Sequence, residues 1–181
     1  RGEWVDDLRF AILPSDRAEW LARPRTVERF ELVEMDSEHA RAVAQLAPHR
    51  HQDGFVSPIG ATLAQSIAPP LEGGRRERPW CRVILADGVV AGFVMVALPS
   101  GEPDPYLWRL LIDRRHQGRG LGAATVRSLI EQFAAEGHEA LLVSWVEGVG
   151  GPRRFYERLG FVEVGPTPYD ETEARRPLQQ R

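Results

Sequence analysis

Three glycines, Gly118, Gly120 and Gly122, fall within five residues, directly after an apolar run, "YLWRLLI", and directly before a helical pattern. In that pattern Val126, Leu129, Ile130 and Phe133 form an apolar stripe, with Arg127, Glu131 and Gln132 opposite. A strand must therefore end, turn and start a helix inside "DRRHQGRGLG". Glycine permits such a turn because it lacks a Cβ and tolerates positive φ. A helix start also carries unpaired N–H groups and a partial positive charge, so a bare turn there lets a phosphate approach the backbone. Gln117 to Gly122, "QGRGLG", reads as a phosphate cradle, with Arg114, Arg115 and Arg119 available to add charge. The bland alternative is a tight turn that binds nothing.

The kind of phosphate ligand can be narrowed. No Gly-Lys-Ser/Thr follows, so a Walker loop fails. Gly118, Gly120 and Ala123 formally satisfy G-x-G-x-x-A, but a dinucleotide fold needs a long α/β remainder, and antiparallel-looking strands precede the turn instead. The 181 residues suit one domain and carry a net charge of -3, which argues against a nucleic-acid binder relying on bulk positive charge. One cysteine, Cys81, excludes an internal disulfide framework and fits a reducing, cytoplasmic setting. No apolar run nears the roughly 20 residues of a membrane span, and no membrane partner is expected. The chain opens on Arg1, which predicts a piece of a longer protein.

Along the chain, Leu8 to Leu13 predicts a short strand, and Val27 to Met35 a second, by alternation. Asp36 or Ser37 caps a helix through "SEHARAVAQLA". "ATLAQSI" predicts a short helix, and "PPLEGGRRERP" a turn-rich loop. Two β-rich runs flank Asp87-Gly88, a hairpin signal. Gly137 ends the long helix, and "ALLVSWV" is a buried-type strand. In "GGPRRFYERLGF", Pro152 suits the first helical position, Gly160 the stop, and Phe161 the apolar contact of a Schellman cap. "FVEV" and Glu171 to Leu178 predict two closing strands.

Gln117-Gly118-Arg119-Gly120-Leu121-Gly122 resembles the Q/R-x-x-G-x-G/A signature of the GNAT superfamily of N-acetyltransferases. The preceding "LWRLLID", the following helix, "ALLVSWV" and "FYERLGF" fall in the family's order, over roughly Val27 to Leu178. The resemblance implies an α/β fold: a mixed, mostly antiparallel twisted sheet of six to seven strands, about four helices and splayed central strands. It implies acetyl-CoA as co-substrate and no metal. The amides of Gln117, Gly118, Arg119, Gly120, Leu121 and Gly122 would hold the pyrophosphate, and the strand at Leu110, Leu111 and Ile112 would pair with the pantetheine arm. An amine then attacks the thioester directly, and Tyr156 protonates the leaving thiolate. An asparagine common in the family seven residues before that tyrosine is replaced by Val149.

The resemblance leaves the general base open. An amine near pKa 10.4 must lose a proton before attack. Some polyamine-acting relatives use a glutamate on the strand before the turn, where this chain has Trp108. Glu34, Asp53, Glu102 and Asp104 remain candidates, each also readable as a surface carboxylate, while Asp113 reads as a backbone acceptor at the strand end. The layout is most similar to the bacterial spermine/spermidine acetyltransferase-like branch, so the expected acceptor is a polyamine or another small cationic amine. Loop carboxylates, with Phe55, Tyr106 and Trp108 for cation–π contact, suit such an acceptor. His49 and His51 lack further ligands at metal-site spacing.

Residues 1–25 resemble the closing strand and tail of another GNAT domain, which divides the chain into an N-terminal extension and a GNAT domain over 26–181. The extension is either the remnant of an upstream tandem domain or an ordinary arm, and an edge strand at Leu8 to Leu13 would also suit a homodimer. Besides an acetyltransferase, the residues admit a non-catalytic acyl-CoA-binding or regulatory domain.

Overall fold

The computed structural model describes residues 21–22, 26–69, 71–72, 75–76, 78–98 and 104–178. The strand expected at Leu8 to Leu13 and the candidate base Glu102 lie outside the described residues. Residues 21–22 are helical, and the described elements after them run in the order β1 (Phe30–Val33), α1 (Ser37–Val43), α2 (Ile59–Ile67), β2 (Leu71–Glu72), β3 (Arg75–Arg76), β4 (Arg78–Ala86), β5 (Val89–Leu98), β6 (Tyr106–Ile112), α3 (Leu121–Ala135), β7 (Ala140–Trp145), α4 (Arg153–Arg158), β8 (Val162–Pro166) and β9 (Thr172–Pro177). A 3-10 turn at Arg50–Gln52 precedes α2.

Local chemistry accounts for most boundaries. The Asp36 carboxylate caps α1, accepting the Glu38 and His39 amides at 2.9 Å each. Asp87 and Gly88 both take positive φ, 56° and 79°, as a two-residue hairpin turn between β4 and β5 requires. At the end of α3, His138 N–H reaches Phe133 O at 3.0 Å and Gly137 N–H reaches Ala134 O at 3.2 Å, the double closure of a Schellman cap. The end of α4 repeats it, Phe161 N–H to Tyr156 O and Gly160 N–H to Glu157 O, and the Phe161 ring packs on Tyr156. The loop expected at 69–79 instead contains the small β2–β3 pair, Leu71 opposite Arg76 and Glu72 opposite Arg75.

The main sheet has seven strands in the order β1-β4-β5-β6-β7-β9-β8. All its neighbours are antiparallel except β6 and β7. One face is covered by α3 and α4, around Val94, Leu129, Phe133, Leu141 and Val143; α1 and α2 cover the β4–β6 part of the other, around Val43, Phe93, Met95 and Leu111. The β6–β7 pair holds the site. Its ladder has only two rungs, Tyr106 opposite Leu142 and Leu107 opposite Val143. Beyond them the strands part, so the β6 edge from Trp108 to Ile112 has no β7 partner. A bulge in the β5–β6 ladder lies at the same place: Met95 faces Arg109 and Val96 faces Leu107, leaving Trp108 as the extra residue.

Candidate functional site: a cleft between two parting strands

The parting strands open into a cleft of about 1900 Å³. One end is the glycine turn. Gly118 and Gly120 take φ of 74° and 80°, and Gly120 is the N-cap of α3. Among the described residues, no acceptor takes the N–H groups of Gly118 through Ala123; the first intrahelical bond of α3 is Ala124 N–H to Gly120 O at 2.9 Å. Six consecutive amides are therefore open at the positive end of a fifteen-residue helix, which suits a diphosphate.

Side chains around the turn fix its shape. The Asp113 carboxylate, 1% exposed, accepts Arg115 N and Nε at 2.9 and 2.8 Å and Ala47 N at 3.2 Å. Burial alone would raise its pKa, but these hydrogen bonds outweigh that and hold it below the usual carboxylate range. Gln117 donates to Gln52 Oε1 at 2.8 Å and to Ile112 O at 2.9 Å. Arg119 corrects the sequence reading. Its guanidinium is buried and donates to Asp87 at 3.0 Å and Thr26 O at 3.1 Å, so it clamps the β4–β5 hairpin to the turn. Arg115 likewise bridges Asp113.

The cleft walls continue along Leu110 and Ile112, while the Leu111 side chain is buried in the core beneath α1. Tyr156, on α4, enters from the α3 side. Its ring stacks on Trp145, centroids 5.5 Å apart, with Phe155 and Phe161 edge-on, and it is 7% exposed. Burial drives its pKa well above that of a free phenol, so the hydroxyl remains a proton donor at all physiological pH values. Across the cleft, Phe55 packs on the turn at 148–151, so close that a Cβ on Gly148 would stand 2.9 Å from two ring carbons. Val149, at the asparagine position, is fully exposed.

Of the described carboxylates expected as bases, Asp53 and Asp104 line the cleft and Glu34 does not. Glu34 pairs with Arg82 at 3.4 Å and is 83% exposed. Asp104 is buried and caps the start of β7, accepting Ala140 N at 2.7 Å and Glu139 N at 3.0 Å. Sequence reasoning missed another group. On the face opposite Tyr156, where β6 and β7 part, Tyr106, Ser144, Glu171 and Glu173 line the cleft. Ser144 Oγ donates a short hydrogen bond to Glu171 Oε2. The Tyr106 pKa is pushed up to about 12, chiefly by burial, with the Glu173 and Glu171 charges adding and Ser144 opposing. The alternation of Glu171, Glu173 and Arg175 put those side chains on one face of a strand, but nothing local said which face met the cleft. His49 and His51 stack on each other, and no metal-binding group of three or more ligands occurs among the described residues.

Residues 48–161 match the acetyltransferase (GNAT) family. The chain belongs to that family. As a GNAT protein it is an acetyl-CoA-dependent N-acetyltransferase, with the open seven-stranded sheet and parted central strands expected of it. It is similar to a tRNA-acetylating toxin of Mycobacterium tuberculosis, 35% identical over 125 residues, or 57% of this chain and 70% of the toxin. It is also similar to the L-2,4-diaminobutyric acid acetyltransferase of Nocardia farcinica, 33% identical over 70 residues, which span 34% of this chain and about a third (36%) of that enzyme. The PaiA N-acetyltransferase of Thermoplasma acidophilum, solved with coenzyme A, shares the GNAT fold at a TM-score of 0.61 and 11% identity, over 82% of this chain and 99% of that one. No described helix is long and apolar enough to cross a membrane.

Proposed function

We propose that this GNAT domain acetylates a primary amine of a small cationic acceptor, polyamines included. The six open amides of Gly118 to Ala123 carry the cofactor half of this reading, since they offer a diphosphate site that needs no lysine or metal. The Gln117 side chain holds the turn, the unpaired β6 edge at Leu110 to Ile112 receives the extended amide-bearing arm, and Tyr156 protonates the thiolate. A thiol pKa of about 8.5 lies below that of the phenol, so Tyr156 acts as a hydrogen-bond donor that shares its proton as the C–S bond breaks. The cationic preference is supported by Glu171 and Glu173 in the cleft, with Tyr106 and Tyr169 beside them.

Isothermal titration with acetyl-CoA and thiol release over spermidine, L-2,4-diaminobutyric acid and tRNA test this reading together. We expect stoichiometric acetyl-CoA binding and turnover with at least one of the two small amines. Binding without turnover on any acceptor would instead support a non-catalytic acyl-CoA-binding domain. Turnover on tRNA alone would move the acceptor to the class named for the mycobacterial relative.

A further inference from the structure

We infer that Glu171, acting through the Ser144 hydroxyl, takes the proton from the acceptor ammonium. The inference rests on the acetyl-transfer reading and adds the residue that prepares the nucleophile. Ser144 is the first β7 residue past the last rung of the β6–β7 ladder, Leu107 opposite Val143, so it sits where the strands begin to part. Successive strand side chains point to opposite faces. Val143 and Trp145 therefore go to the α3 face with Tyr156, and Ser144 goes to the other. The two proton-handling groups thus flank one opening from opposite sides: Tyr156 for the departing sulfur, Ser144 and Glu171 for the arriving nitrogen.

The groups around Glu171 suit the role. From β6 come the Tyr106 phenol and the Arg109 guanidinium; from β7, Ser144; from β9, Glu173. The Glu171 backbone is anchored in its own turn, its N–H on Thr167 Oγ1 at 3.2 Å and its carbonyl accepting Thr167 N–H at 2.7 Å. Arg109 is tied to Gln65 Oε1 at 3.0 Å on α2 and to its own neighbour's carbonyl, Trp108 O, at 2.6 Å. Its positive charge faces the Glu171 carboxylate, while Glu173 gives the incoming cation a second partner.

The ammonium gives one proton to Ser144 Oγ as the Ser144 proton moves to Glu171 Oε2, and no heavy-atom bond changes. The freed nitrogen pair forms the C–N bond, the carbonyl electrons move to oxygen, and their return expels the thiolate as the C–S bond breaks. The thiolate takes the Tyr156 proton, the second nitrogen proton passes to water, and the Tyr156 phenolate regains a proton from water. Glu171 then returns its proton to water.

The test compares pH profiles of kcat/KM with 1,3-diaminopropane as probe amine, for the wild type, Glu171→Gln and Ser144→Ala, with Glu34→Gln as control. Without the relay an enzyme must wait for amine already neutral in solution, whose pKa lies near 10. Both cleft variants should lose about 30-fold or more at pH 7.5, rise with unit slope towards pH 10, and come within about threefold of wild type there. The control should be unchanged. Ser144→Ala keeps the Glu171 charge and the β7 backbone, so it decides the matter if Glu171→Gln melts early. A loss uniform across pH, an unchanged profile, or no wild-type turnover of the diamine despite acetyl-CoA binding would overturn the inference. Absence of acetyl-CoA binding in the wild type would instead overturn the reading on which it rests.

Discussion

Replacing Tyr156 by phenylalanine tests the proposed proton transfer apart from the packing of the ring. The ring stacks on Trp145 at 5.5 Å and touches Phe155 and Phe161 edge-on, and all of that survives in phenylalanine. Only the hydroxyl goes. A positioned proton donor contributes about 10²-fold or more to the rate, which corresponds to about 2.7 kcal/mol of transition-state stabilisation. The expected phenotype is a kcat about 10²-fold lower, with an acetyl-CoA Kd within about twofold of wild type and a thermal midpoint within about 2 °C. Tyr156→Ala removes the ring as well and should cost about 3–5 kcal/mol of stability, or roughly 6–20 °C in a domain of this size. Stopped-flow thiol release and calorimetry on the same preparations read both quantities. A phenylalanine enzyme with unchanged kcat would show that the proton comes from elsewhere and that Tyr156 is a core residue only.

Gly120→Ala meets no atom within 4 Å, so its cost is the positive φ of 80° alone, about 1–2 kcal/mol; the melting point should fall by several degrees and acetyl-CoA binding by about tenfold, as titration calorimetry would read. Asp113→Ala leaves the Ala47 amide without its acceptor and should cost about 1–3 kcal/mol, checked by denaturant titration at constant slope. Because the Asp113 pKa is depressed in the fold, its contribution is present at neutral pH and disappears as pH falls through the folded value, so wild type and variant should converge in acid. The Tyr106 and Tyr156 pKa values are raised, Tyr106 to about 12. Their contribution is complete below the unfolded phenol value near 10 and is lost as pH rises towards 12, so melting points should decline from about pH 10 upward.

The features legible in the chain are those whose cause is local. A left-handed residue needs glycine or, less often, a short polar side chain, so Gly137, Gly160 and the Asp87-Gly88 turn announced two helix stops and a hairpin, and the bare stretch at Gln117 to Gly122 announced a strand-to-helix turn. The Schellman contact of Phe161 with Tyr156 followed from spacing alone. Arg119 shows where local reading stops. In sequence it is one more cation beside the cradle; in the fold its charge is met by Asp87, 32 residues away.

The Ser144 and Glu171 side of the cleft depended on topology throughout. Glu171 meets Ser144 only because β9 inserts between β7 and β8, and Ser144 faces Tyr106 only because β6 and β7 run parallel for two rungs and then part. Chain chemistry thus determined the turn, the caps and the run of open amides, since these depend on residues within a few positions of one another. The tertiary structure decided which carboxylates line the cleft, because strand order and ladder length, rather than any nearby residue, set those positions.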